Sequence, residues 1–106
     1  MIRCYDFGHM LIDSSQRKKL KALAHHLKPV VNIGKEGVSD GVIHSISEKL
    51  EKNELIKIKF SHHKDQKSKI SDKIANTTNA VTVSIIGNIL ILYKKSENQK
   101  NRHIKI

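Results

Sequence analysis

The residues with the clearest chemical meaning are Gly34-Lys35-Glu36-Gly37, a pair of glycines enclosing one positive and one negative side chain. Glycine accepts backbone angles that other residues resist, so this stretch can turn sharply and aim backbone N–H groups outward. Where such a turn opens onto the N-terminus of a helix, the helix dipole adds partial positive charge, and the combination suits a phosphate oxygen. Upstream, Arg17, Lys18, Lys21, His25 and Lys28 fall on one flank of a helical wheel, and no acidic residue occurs between Gln16 and Lys35. Carboxylates four residues away would form internal ion pairs with such a flank. Without them the charge repels itself, and a phosphate backbone relieves the repulsion.

Other chemistry is harder to build. His25-His26 and His62-His63 are adjacent pairs, and neighbours diverge by about 100° on a helix and point to opposite faces of a strand, so neither pair forms a metal site. Glu36 and Asp40 have no evident partner for acid–base work, and no nucleophile is paired with a base, so no enzyme and no cofactor are expected. Only Tyr5, Phe7, Phe60 and Tyr93 are aromatic. Stacking of several bases on an exposed sheet is therefore unsupported, and binding is expected to be led by the polyanion's backbone.

The whole chain carries the same sign. Among 106 residues, 20 Lys and Arg oppose 10 Asp and Glu, a formal net charge of +10. Basic residues alternate with Ile, Leu and Val through the middle, so the charge decorates a fold instead of forming a disordered basic block. The length suits one domain with one core. The single cysteine, Cys4, cannot build a disulfide framework, which favours a reducing compartment, the cytoplasm. No apolar run approaches the roughly 18 to 20 residues needed to span a bilayer, and no membrane association is expected.

The elements that must position these residues follow from periodicity. Ser14 or Ser15 can cap a helix through Leu27, with Leu20, Leu23, Ala24 and Leu27 at helical spacing and Pro29 ending it. Val30 to Ile33 reads as a short strand running into the glycine loop. Ser39 can cap a helix over about 40–52, with Val42, Ile43, Ile46 and Leu50 on one face and Asn53 near its end. Residues 54–60 alternate as a strand, with Ile56, Ile58 and Phe60 inward and a second face, Leu55, Lys57 and Lys59, expected to be wet and basic. A third, weaker amphipathic helix carries Ile70 and Ile74, and two strands, Ala80 to Ile86 and Ile89 to Tyr93, are joined by Gly87-Asn88 as a hairpin. The order α-β-α-β-α-β-β predicts a single α/β domain with a four-stranded mixed sheet and helical crossovers. Its expected limits are 14–95, between a flexible extension over 1–13 and a basic tail over 96–106. Lys57, Lys59 and the tail's basic residues are secondary binding candidates.

Four segments carry a family resemblance in matching order: Gln16-Arg-Lys-Lys-Leu-Lys-Ala-Leu-Ala-His25, Leu27 through Val42 with the Gly-x-x-Gly loop, Asn53-Glu-Leu-Ile-Lys-Ile-Lys59, and Ile86-Gly-Asn-Ile-Leu-Ile-Leu-Tyr93. Over about residues 14–95 the chain resembles the CRM domain, or YhbY-like, family. The resemblance implies a fold like the C-terminal domain of bacterial translation initiation factor three and an RNA-binding role. For bacterial single-domain members it implies association with precursors of the large ribosomal subunit. The expected partner is RNA, ribosomal or pre-ribosomal, bound by a monomer through Arg17, Lys18, Lys21, Lys28, Gly34, Lys35, Glu36 and Gly37. The alternatives are another structured RNA, such as an intron or messenger RNA, or a structural ribosomal protein. Glu36 departs from the polar or basic residues frequent in that loop and lowers its attraction for phosphate; Val38 replaces the more usual Leu or Ile. Because the matching region begins near Met10, Met10 is a candidate native start, with residues 1–9 an upstream extension.

Overall fold

In a computed structural model of the chain, residues 12–95 are described. They form α1 (Ser14–Ala24), β1 (Val31–Ile33), α2 (Asp40–Asn53), β2 (Leu55–Phe60), a 3-10 turn (Lys64–Gln66), α3 (Lys67–Thr78), β3 (Val81–Ile86) and β4 (Ile89–Tyr93). The α-β-α-β-α-β-β order and the four-stranded mixed sheet are as the periodicity predicts. The strands lie in the order β1-β2-β4-β3. β1 runs parallel to β2, and β4 is antiparallel to both of its neighbours, β2 and β3. Strand β4 thus inserts between β2 and β3, and α3 crosses over it. Of the expected extension over 1–13, residues 1–11, Met10 included, lie outside the described residues, as does the tail over 96–106.

Alternation along the strands splits the core into two layers. Ile56, Ile58 and Phe60 of β2, with Ile33, Leu90 and Leu92, pack against Ile46 and Leu50 of α2 and Ile74 of α3. The other face buries Leu55, Val83, Ile91 and Tyr93 beneath Leu20 and Ala24 of α1, with Ile12 against them. The second face of β2 is therefore only partly wet: Leu55 is buried, Lys57 half-buried and Lys59 exposed. A helix covers one end of that face and leaves the other open.

Local chemistry explains most boundaries. The cap of α1 is Asp13 and not either serine: its carboxylate accepts from the Gln16 N–H at 2.8 Å while the Gln16 side chain accepts from the Asp13 N–H at 3.0 Å, a reciprocal capping box. Ile12, two residues before Ser14, is already packed against the α1-side layer. Helix α1 also stops at Ala24 instead of Leu27: the Leu27 N–H donates to the Ala24 carbonyl, three residues back, at 2.9 Å, so the chain leaves the helical pattern through a tighter turn before Pro29. Of its apolar stripe, Leu20 and Ala24 are fully buried, but Leu23 and Leu27 stay 43% and 39% exposed. Ser39 does cap α2, accepting from the Val42 N–H at 3.2 Å. Glu54, not Asn53, takes the positive φ (64°) that ends that helix. At the hairpin Gly87 has φ +59°, and the Lys67 ammonium donates to the Gly87 and Asn88 oxygens. Among the described residues no helix is long and apolar enough to cross a membrane.

Candidate nucleic-acid interface

Strand β1 ends at Ile33 and hands the chain to the glycine loop, whose corner is closed by the Gly37 N–H donating to the Gly34 carbonyl at 3.0 Å. Lys35 and Glu36 form the exposed tip. The two glycines are not equivalent. Gly37 has φ +73°, a left-handed angle that favours glycine, whereas Gly34 has no such angle and open space where a Cβ would stand. Gly34 is thus not required by the turn; what it provides is room for close approach from outside. The N–H groups of Lys35, Glu36 and Val38 meet no acceptor among the described residues. They lie immediately before the N-terminus of α2, where the dipole favours an anion. The exposed Glu36 and Asp40 carboxylates oppose that field, so attraction at the tip rests on backbone N–H groups and Lys35.

The segment after β2 holds the loop from behind. Ser61 and His62 N–H groups both donate to the Ile33 carbonyl, at 3.0 and 3.2 Å. His63 Nε2 lies 2.9 Å from the Lys35 carbonyl; a carbonyl only accepts, so the ring carries its proton on Nε2. The same nitrogen stands 3.7 Å from where a Gly37 Cβ would be. Sequence reasoning weighed His63 only as a metal ligand. Its contact with a loop 28 residues away depends on the parallel pairing of β1 with β2, for which no local signal exists.

Arg17, Lys18, Lys21 and Lys28 are all exposed, and none forms an ion pair with a described carboxylate. They do not abut the loop directly. The buried seam of α1 lies over Leu55 and Tyr93, while the loop lies beyond the Phe60 end, where Ile33 pairs with Phe60. The length of β2 between these ends is roughly 16 Å at a strand's rise per residue. The uncovered face of β2 bridges the gap with Lys57 and Lys59. Lys57 is partly committed to structure, its ammonium donating to the Leu27 carbonyl at 3.1 Å. Lys59 has no partner among the described residues and is exposed, which raises it from a secondary candidate to the link between helix and loop.

The opposite layer differs. Along α2, Ser45, Glu48, Lys49, Glu51 and Lys52 line a shallow, mixed-charge depression, and His44 pairs with Glu48 at 3.3 Å. Along α1 and the open end of β2 the cations thus have no described carboxylate partner, and their chemistry is that of a surface for an extended polyanion.

Comparison with known proteins agrees with this geometry. The CRS1 / YhbY (CRM) domain model matches residues 12–94, so it includes the capping residue Asp13, the loop and the hairpin. An "RNA-binding protein" of Haemophilus influenzae is 41% identical over 90 residues, covering 84% of this chain and 91% of that protein. The "Probable RNA-binding protein YqeI" of Bacillus subtilis is 34% identical over 91 residues, covering 85% and 95%. Among solved structures, the solution structure of the protein SAV1595 from Staphylococcus aureus superposes with a TM-score of 0.74 at 28% identity, covering 90% of this chain and all of that one. A domain match that runs from the cap of the first helix to the end of the last strand, on a fold shared with a solved relative, makes this chain a member of the CRS1/YhbY (CRM) domain family.

Proposed function

We propose that this chain is a non-catalytic RNA-binding module that grips phosphates along a track from the α1 flank, over Lys59, to the Gly34–Gly37 loop. One observation carries the reading: the loop, whose N–H donors meet no described acceptor, stands beyond the Phe60 end of β2, next to the open end of the face on which Lys59 is exposed without a described partner. The names of the Haemophilus influenzae and Bacillus subtilis relatives support RNA as the polyanion. The resemblance to bacterial single-domain members further suggests precursors of the large ribosomal subunit as the target, in the cytoplasm, with the protein acting as a monomer. Sedimentation of cell extracts tests the target. An assembly factor co-migrates with immature large subunits and is missing from mature ones. Persistence in mature subunits indicates a structural ribosomal protein, and absence from both indicates another RNA. Binding itself is tested by reversing Lys18 and Lys21 to Glu together, which should weaken affinity for the RNA recovered from these fractions at least tenfold, given the charge reversal at two phosphate contacts. Unchanged affinity would move the site elsewhere.

A further inference from the structure

Beside the loop, on the open end of the α1-side face, Pro29, Val30, Val31, Asn32, Lys59 and Ser61 line a groove of about 440 Å³. Its polar centre is a pair. The Ser61 hydroxyl donates to Asn32 Oδ1, which leaves the Asn32 amide with two N–H donors that find no described acceptor, and leaves the Ser61 oxygen able to accept. Donor and acceptor therefore stand side by side, the complement of a nucleobase edge that carries a carbonyl or ring nitrogen next to an N–H. Next to the pair the surface is apolar: Val30 is 45% exposed and Pro29 is exposed too. The exposed Lys59 ammonium supplies positive charge at the same place.

We propose that this groove is a subsite for one unpaired nucleotide of the bound RNA, its base resting on Val30 and Pro29 with its polar edge on Asn32 and Ser61. The assignment rests on the RNA-binding reading and adds to it a contact with a base, where the rest of the surface meets only phosphate. Three features favour a nucleotide. The groove is continuous with the loop through Asn32 and Ile33. Its lysine complements a phosphate. The apolar wall beside a hydrogen-bonding pair matches the two surfaces of a base, whereas a base within a duplex has its pairing edge occupied and is not available. The open edge of β1 could instead accept a protein strand, but β1 is only three residues long and Lys59 favours an anion. Because the hydroxyl of Ser61 can rotate to donate or accept, the subsite distinguishes an unpaired base from none, and not one base from another.

The test compares two probes on the full chain at fixed salt: a short fluorescent oligouridylate, and a ribose-phosphate chain of equal length with its bases removed. The unmodified protein should prefer the oligouridylate by about fivefold, the lower end of what a two-point contact to a base provides. Asn32→Leu combined with Ser61→Ala should abolish that preference and leave affinity for the abasic chain unchanged. Lys18→Glu with Lys21→Glu should weaken both probes in proportion. Equal binding of both probes by the unmodified protein overturns the base subsite while the RNA reading stands; binding of neither removes the RNA reading and the subsite with it. A double variant that weakens both probes equally would assign the pair to the sugar-phosphate backbone, and one that changes neither would leave the groove to a protein strand; each overturns the proposal. A measurement that needs no variant is photocrosslinking of the unmodified protein to oligouridylate containing 4-thiouridine. The adduct is expected within residues 28–33 or 57–62, and adducts confined to other segments contradict the site.

Discussion

At Gly37 the backbone holds φ +73°, and any side chain there must enter the left-handed region at a cost of roughly 1–2 kcal/mol. Gly34 carries no such constraint and faces open space. The two glycines should therefore separate stability from binding. Gly37→Ala is expected to lower the midpoint of thermal unfolding by about 4–8 °C, as roughly 1 kcal/mol does for a domain of this size. Gly34→Asp should leave that midpoint unchanged and weaken RNA binding several-fold, by placing a carboxylate where phosphate approaches. Calorimetry and anisotropy on the two variants check both statements, and equal loss of stability in each would show that the turn needs both glycines. Lys57 and Lys59 illustrate the same division. They share one face of β2 and look alike in the sequence, but the first is tied to the Leu27 carbonyl and the second has no such tie.

Helix α1 is held to the sheet through a narrow seam, Leu20 and Ala24, so its N-terminal cap matters more than in a deeply buried helix. Asp13→Ala removes one half of the capping box and should cost about 1 kcal/mol, read as a lower denaturant midpoint with an unchanged slope. A changed slope would mean that the helix detaches as a separate unit. The box was visible in the sequence, since Gln16 stands three residues after Asp13, but two serines next to it offered equally good caps. Helix α2, the hairpin and the alternation of β2 were legible because periodicity, Ser39 and Gly87-Asn88 all agree locally. What was not legible depends on pairing over distance. The strand order, the burial of Leu55 beneath α1, and the position of His63 behind the loop follow from which strands meet, and no run of neighbouring residues encodes that. Likewise the stripe of Leu20, Leu23, Ala24 and Leu27 shows that a helix can pack, but not how much of the stripe its neighbour covers.

Over the whole molecule, a formal +10 is arranged so that the α1 side presents cations without described carboxylate partners while α2 mixes both signs. Contact with about five phosphates predicts a log–log salt slope of affinity of roughly −3.5 on single strands and −4.5 on duplex. Titration of binding against salt measures it, and a slope near zero would contradict a phosphate-led interface. The topology has one more consequence. Strand β1, which carries the loop, is joined to the sheet by three residue pairs on one side, while β4 is paired along both edges. Amide hydrogens of Asn32 and Ile33 should accordingly exchange with heavy water well before those of Leu90 and Leu92, because local opening at an edge needs far less than global unfolding. A ligand that binds only the closed form lowers the population of the open one by mass action. RNA should therefore slow exchange at β1 first and most, so the edge strand registers occupancy of the loop through its own backbone, with no label attached.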